Sequence, residues 1–402
     1  MAEETSMKVL NISAGQDLAN IGFRYHIAAE KRGIDYRTVL RTHTYLAYPF
    51  DIYWDRNDRE IRDLYRDADV LHLNNSFQPY TYLGGPKDMK PAIIEQHGTQ
   101  FRGYPSPMIR EAVARHILQG VSTVDLMQPA PDLLHWLPSP YDLPALARIR
   151  QTEKRPYDGR ILVCTAPTAR GIKSTDQLIT AVRELQAEGV PVDLDVIEQT
   201  SWDKCLRRKA RADIFFDQVI VGYGCNAIEA WGMGIPVIAG ATAWTLAKMR
   251  EEFNGILPFY TATVGTIKGA VESMCQSSDL RAAWGGIGAS HAKRYHAERP
   301  ALDRVLDLYE KAVKEMEHVK HLARIRVEGG DETRRGPGVF HSDTYRALCV
   351  LWGEARMKFA GGLLVLDDPY TANIMREFMV MRPEYEIYEE GILPASLEGV
   401  TK

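Results

Sequence analysis

The chain has 402 residues, 45% of them hydrophobic and 25% charged, with a formal net charge of −4. That is the composition of a soluble globular protein of two or three domains, and it carries no bulk basic field of the kind that advertises nucleic acid. No run approaches the ~20 apolar residues of a membrane span, and the acidic start "MAEETSMKVL" lacks an apolar signal core. The five cysteines (164, 205, 225, 275 and 349) are odd in number, far apart and free of CxxC or Cys/His zinc spacing. They read as free thiols in a reducing compartment, so the expected location is cytoplasmic.

The first half opens with the strand "MKVLNIS", the polar glycine loop "AGQDLAN" and the helical "IGFRYHIAAEKRG" with its glycine stop. Strand-like and helix-like segments then alternate through "YRTVL", "DIYWDRNDREIRDLYRDA", "DVLHLNNS", "PAIIEQHGTQ" and "VSTVDLMQ", the pattern of βα units on a parallel sheet. Proline and charge become dense over 128–158, and the later part of that stretch is the expected domain linker. A second alternating series follows: strand "GRILVCTAP", helix "STDQLITAVRELQAEG", strand "VDLDVIEQ", helix "WDKCLRRKARA", strand "DIFFDQVIV", and a helix near 262–278. Residues 297–326 read as one long charged helix, and 327–338 as a glycine-rich loop. The tail from 339 carries apolar helix-like material in "YRALCVLWGEARMKFAGGLLVL" and "ANIMREFMVM", with no chemical role assigned.

Two consecutive α/β series predict two facing doubly wound domains, with the ligand in the cleft between them at the carboxyl ends of the strands. The segment "GYGCNA" (222–227) fits the dinucleotide pattern GxGxxA. The following strand, "IPVIAGATAW", has no acid before Glu251, which argues against nicotinamide or flavin. Its glycines still let backbone N–H groups approach an anion at a helix start; the alternative is a tight turn without a ligand. "APTARGIKST" misses the P-loop spacing because Ile172 separates Gly171 from Lys173. What remains is Arg170 and Lys173 at a strand's carboxyl end, a pair able to neutralise a pyrophosphate or simply to be solvated. The basic run 204–211 is weighed between a solvated helix face, which is favoured, and a phosphate or nucleic-acid contact. "HAKRYH" (291–296) and "HVKH" (318–321) mimic metal pairs without a carboxylate partner, and no metal site is expected.

In order and spacing, "TAPTARGIKSTDQLITAVREL", "ADIFFDQ" and "GYGCNAIEAWGMGIPVIAG" resemble the retaining GT-B-fold nucleotide-sugar glycosyltransferases (group 1, or family 4-like). The first half matches more loosely, through "DADVLHLNNS", "IIEQHGTQFR" and "LPSPYDL", and the resemblance covers about 1–300. It implies an α/β GT-B architecture of two facing Rossmann-like domains with a helical C-terminal extension. The expected boundaries are an acceptor-side domain at 1–152, a nucleotide-sugar domain at 153–296, and a crossover helix with extension at 297–402. It implies transfer of a sugar from a nucleoside-diphosphate sugar to a hydroxyl acceptor of unknown identity, with retention and without a metal or other cofactor. Glu229 would bind the donor ribose, and Gly222, Tyr223, Gly224, Cys225 and Asn226 the rest of the donor. Arg170 and Lys173 would stabilise the departing diphosphate, and His97 would sit near the sugar and acceptor. The loop holding Gly15 and Asn20 would lie close to the phosphates or acceptor. Many members carry two glutamates eight positions apart; here Val221 stands in the first place, leaving the donor sugar open. The alternatives are a transferase acting on modified DNA, a nucleotide-sugar epimerase on the same scaffold, and a non-catalytic nucleotide-sugar-binding protein.

Overall fold

The structure, a computed structural model, describes residues 7–54, 58–83 and 90–328, with four further strands between 357 and 394. Seven strands form the first sheet: β1 (Lys8–Ser13), β2 (Asp35–Leu40), β3 (Ile52–Tyr53), β4 (Val70–Asn74), β5 (Ala92–Gln96), β6 (Leu118–Val121) and β7 (Leu134–Trp136). All are parallel, in the order β3-β2-β1-β4-β5-β6-β7. Strands β4 and β5 are buried at every position, as central strands of a parallel sheet covered on both faces must be. Their runs nevertheless include His72, Asn74, Glu95 and Gln96, so this core has a polar layer. The helices of this half are α1 (Ile21–Glu30), α2 (Asp58–Asp67), α3 (Gln78–Leu83), α4 (Gly98–Gly103), α5 (Pro105–Ala114) and α6 (Leu143–Glu153).

The second sheet contains β8 (Ile161–Thr165), β9 (Val192–Val196), β10 (Ile214–Phe216), β11 (Val221–Gly222), β12 (Val237–Ala241) and β13 (Tyr260–Thr261). Its parallel strands run β9-β8-β10-β12-β13, and β11 pairs antiparallel to β12. The helices are α7 (Thr175–Ala187), α8 (Trp202–Lys209), α9 (Cys225–Gly232), α10 (Ala243–Glu252), α11 (Ile267–Gln276), α12 (Ser278–His291) and α13 (Glu298–Glu328). Strand order reverses between β1 and β4 in the first sheet and between β8 and β10 in the second. Doubly wound folds place ligands at the carboxyl ends of such strands.

Some elements differ from their expected form, and others add detail to it. "DIFFDQVIV" is not one strand: β10 ends at Phe216, and β11 begins at Val221 in the opposite direction. The proline-rich stretch contains β7 of the first sheet and then α6, whose Leu146 packs against Gly232 of α9 and whose Arg150 donates to the Ala212 carbonyl of the second half at 2.8 Å. The long helix returns to the first sheet, where Tyr309 Oη lies 2.7 Å from His72 Nδ1, and it runs two residues into the expected loop at 327–338. Both sheets lie in one compact unit that extends to Glu310; residues 107–117 and the chain from Lys311 form a second. In that second unit, β14 (Met357–Ala360), β15 (Leu363–Leu366), β16 (Tyr385–Tyr388) and β17 (Gly391–Pro394) form an antiparallel sheet in the order β14-β15-β17-β16. The helix-like reading of the tail is therefore overturned at 357–366. "ANIMREFMVM" and 329–338 lie outside the described residues. No described helix is long and apolar enough to cross a membrane.

Candidate functional site

The two sheets enclose a cleft of about 550 Å³, lined on one side by the loop after β1 and the end of β5, and on the other by the loops after β8 and β10 and the start of α9. The turn into α9 requires glycine at 222. Its φ is +92°, a left-handed conformation, and a Cβ there would strike the Met249 methyl. Gly224 N donates to Asp217 Oδ2 at 2.7 Å, and Asp217 Oδ1 accepts from Lys173 Nζ at 2.7 Å. The helix start expected to cradle a phosphate thus already faces a buried carboxylate, with Lys173 paired to it. The neighbouring Asn226 ties the wall together, donating to the Ala166 carbonyl at 2.9 Å and accepting from Lys209 Nζ at 2.8 Å.

Glu229 also lines the cleft, and its side chain is 4% exposed. Three protein donors reach it: Lys209 Nζ at 2.5 Å on Oε2, and Trp202 Nε1 at 2.9 Å and Arg24 Nη2 at 3.2 Å on Oε1. Burial pushes its pKa up, but Lys209 and Arg24 outweigh burial and hold it below the ordinary glutamate value. Lys209 is likewise held above its ordinary value despite burial, so the two directions agree on an ionised pair. The solvated-face reading of the basic run therefore fails at Lys209 alone: Lys204, Arg207 and Arg211 are exposed, with Arg207 and Arg208 also paired with Glu153, Asp203 and Asp195. Arg24 comes from α1 of the first half and stacks 3.7 Å over the Tyr141 ring, a cation–π contact strengthened by burial.

On the opposite wall His97 is the N-cap of α4, and its ring Nε2 lies 3.0 Å from Asn74 Oδ1. Its Nδ1 is 3.8 Å from Glu95 Oε1, and Glu95 Oε2 is 3.1 Å from His72 Nε2. Burial raises the Glu95 pKa to about 7 and lowers that of His72 to about 3. His97 is also lowered by burial, which the Glu95 carboxylate opposes. Both ring nitrogens of His97 therefore face buried protein groups.

The remaining expected residues divide. Arg170 is not among the cleft-lining residues; its 48% exposed side chain is held in a two-pronged pair by Glu198, at 2.8 and 2.6 Å. Tyr223 and Cys225 line the cleft, but the Tyr223 hydroxyl lies 3.1 Å from His291 Nε2 and 3.0 Å from His296 Nε2, inside the core. The two outer histidines of "HAKRYH" thus both face that hydroxyl; among the described residues no group of three His, Cys, Asp or Glu could hold a metal ion. In the loop after β1, Gln16 and Ala19 line the cleft, whereas Gly15 and Asn20 do not. Gly15 instead accepts the Arg41 and Thr42 amides through its carbonyl, and Asn20 is buried at the start of α1. Sequence reasoning missed Arg24, Asp217 and Trp202. The one available signal was for Asp217, an acid directly after a buried apolar run and before a glycine turn.

Two Rossmann-like domains with the cleft at their strand ends define the GT-B fold, and the proteins this chain resembles are glycosyltransferases. A D-inositol 3-phosphate glycosyltransferase from Corynebacterium kroppenstedtii (strain DSM 44385) is 25% identical over 166 residues, covering 40% of this chain and 35% of that protein. The chain thus matches about a third of that relative's length. An alpha-glucosyltransferase solved with UDP and a 13-mer DNA containing a central A:G mismatch has a TM-score of 0.55 at 10% identity, covering 76% of this chain and 100% of that one. Sucrose-phosphate synthase from Thermosynechococcus elongatus has a TM-score of 0.53 at 11% identity, covering 76% of this chain and 98% of that one. No family model matches the chain.

Proposed function

We propose that the protein transfers a sugar from a nucleoside-diphosphate sugar to a hydroxyl acceptor, with retention at the anomeric carbon and without a metal or other cofactor. The carrying observation is the cleft, which sets Lys173 and the α9 start of one half opposite His97 of the other. The acceptor hydroxyl attacks the anomeric carbon from the leaving-group face. The new C–O bond forms as the bond to the diphosphate breaks, its electron pair goes to the diphosphate oxygen, and that oxygen takes the acceptor's proton. Negative charge grows on the diphosphate, and Lys173 is the cation that meets it by turning from Asp217. Arg170 would have to leave Glu198 to help. A carboxylate has about four acceptor positions, and three donors already occupy Glu229. Glu229 would therefore take one ribose hydroxyl rather than two. A cytoplasmic setting fits the described cysteines, which are all free thiols.

The test is a panel of UDP-, GDP-, ADP- and TDP-sugars, read by thermal shift and by diphosphate release, with Lys173→Ala beside the wild type. One donor that stabilises the protein and is slowly hydrolysed, with release lost in Lys173→Ala, supports the transferase. Sugar interconversion without diphosphate release would indicate an epimerase, and binding without any turnover, even with candidate acceptors, a non-catalytic binding protein. If no donor binds, the proposal falls. A nucleic-acid acceptor gains no support from 204–211, because Arg207, Arg208 and Lys209 are already paired with carboxylates.

A further inference from the structure

The connection between β10 and β11 is pinned at its backbone. Asp217 N donates to the Ile238 carbonyl at 3.1 Å, and the Gln218 carbonyl accepts from Gly240 N at 2.8 Å. Gly240 has no side chain because the Ala262 carbonyl oxygen occupies the space a Cβ would need. Gln218 is therefore held on a rigid edge, 3% exposed, in the wall of the cleft. Its neighbours on that wall are spoken for. Asp217 and Lys173 bond one another, Gly224 N is bonded to Asp217, and Val221 is apolar. The Gln218 amide oxygen, by contrast, has no hydrogen-bond partner among the described residues. The other such cleft-lining atom, His97 Nδ1, faces the Glu95 carboxylate. A buried amide carbonyl without a partner is unfavourable, and a hydroxyl on a ligand would satisfy it.

We propose that Gln218 is the residue that reads the transferred sugar, its side-chain carbonyl accepting a hydrogen bond from a sugar hydroxyl next to the diphosphate. This rests on the nucleotide-sugar reading above and adds to it the element that distinguishes one sugar from another. A neutral amide oxygen in a water-poor wall favours a ring that carries a hydroxyl there and disfavours the deoxy analogue, which leaves the oxygen unpaired.

The experiment is calorimetric titration of the full chain with each free nucleoside diphosphate (UDP, GDP, ADP, TDP) and with its glucose conjugate. The quantity read is the ratio of the two affinities for the base that binds. In Gln218→Met, which keeps length and removes the hydrogen bond, that ratio falls about tenfold while the free diphosphate stays within about twofold. Gln218→Glu, which keeps an acceptor, retains most of the ratio. Monodeoxy-glucose conjugates tested on the wild type need no variant to fold: one of the four hydroxyl positions loses about the same tenfold, and that loss disappears in Gln218→Met. An unchanged ratio in Gln218→Met, or an equal loss for diphosphate and conjugate, overturns the proposal and makes Gln218 structural. If every deoxy conjugate binds the wild type as well as its parent, the proposal is likewise overturned. A wild type that binds neither diphosphates nor conjugates fails the proposed function itself, a result distinct from a wild type that binds both without regard to Gln218.

Discussion

Lys209 and Lys204 lie five residues apart on one helix, and the structure gives them opposite weights. Lys209 is fully buried against Glu229 and Asn226, whereas Lys204 is exposed. Removing one partner of a buried pair leaves the other charge stranded. Lys209→Met is expected to cost about 3–5 kcal/mol in urea unfolding, and Lys204→Met no more than about 0.5 kcal/mol. Glu95 gives a pH signature. Its folded pKa is raised by burial from 4.5 to about 7. Between those values the folded protein holds a proton that the unfolded chain has lost, so stability falls as pH rises. The contribution is fully present below about pH 4.5 and gone once pH passes about 7. His72 has the opposite sign. Its pKa is lowered to about 3, so its contribution is present above its unfolded value near 6.5 and lost as pH falls towards 3. Because the two overlap, the informative curve is the difference in unfolding free energy between wild type and Glu95→Gln. That difference should shift in favour of Glu95→Gln from pH 4.5 to 7 and be flat above about pH 8; a difference flat throughout would mean that Glu95 titrates normally.

At the scale of elements, two of the three glycines of α12 have opposite demands. A Cβ on Gly288 would meet the Trp231 indole, while a Cβ on Gly286 meets nothing within 4 Å. Gly288→Ala should therefore destabilise by about 1–3 kcal/mol through overpacking, and Gly286→Ala should stabilise by about 0.5–1 kcal/mol through helix propensity, both read from thermal or urea unfolding. Elements of this length were largely legible in the sequence. Alternating apolar runs and amphipathic helices with glycine stops announced both sheets, and α13 was readable as one long charged helix. What stayed hidden had physical causes. "DIFFDQVIV" has apolar residues on both sides of Asp217 and Gln218, but Asp217 turns to the α9 start and breaks the strand, which periodicity does not register. "MKFAGGLLVL" is a short apolar run, for which helix and strand patterns coincide. Lys173, His97 and Glu229, which line the cleft, stood out in the sequence because each follows a strand or glycine turn of recognisable form. Lys209 and Arg24 were not, because their partner comes from another element and a linear charge run carries no trace of it.

At the scale of the molecule, the two halves of the GT-B unit are joined on the cleft side by a small set of contacts. Arg24 of α1 reaches Glu229 of α9, Trp202 N donates to the Leu46 carbonyl at 2.8 Å, and the Tyr48 and Trp202 rings lie 5.6 Å apart. Away from the cleft, α13 ties itself to the first half independently, through Tyr309 with His72 and Lys31 with Glu298. The two sets share no residue, so they should loosen separately. Arg24→Leu removes the charged link to Glu229 and leaves Glu229 with Lys209 and Trp202, so the second half should stay folded. A charge-assisted hydrogen bond contributes about 1.5–3 kcal/mol, which corresponds to roughly 10–100-fold faster opening of the amides it protects. Hydrogen–deuterium exchange followed by mass spectrometry should therefore quicken at 44–48 and 202–206 in Arg24→Leu, with β4 and β5 still protected. Tyr309→Phe should leave 44–48 and 202–206 unchanged. Quickening in β4 and β5 as well would mean that Arg24 holds up the first half rather than joining the two, and no change at 44–48 would mean that the backbone bond from Trp202 to Leu46 suffices to close the cleft. On the proposed function, a nucleoside diphosphate in the cleft would touch both walls, so adding one that binds should restore protection at 44–48 in Arg24→Leu, because the ligand would then supply the link the variant lacks.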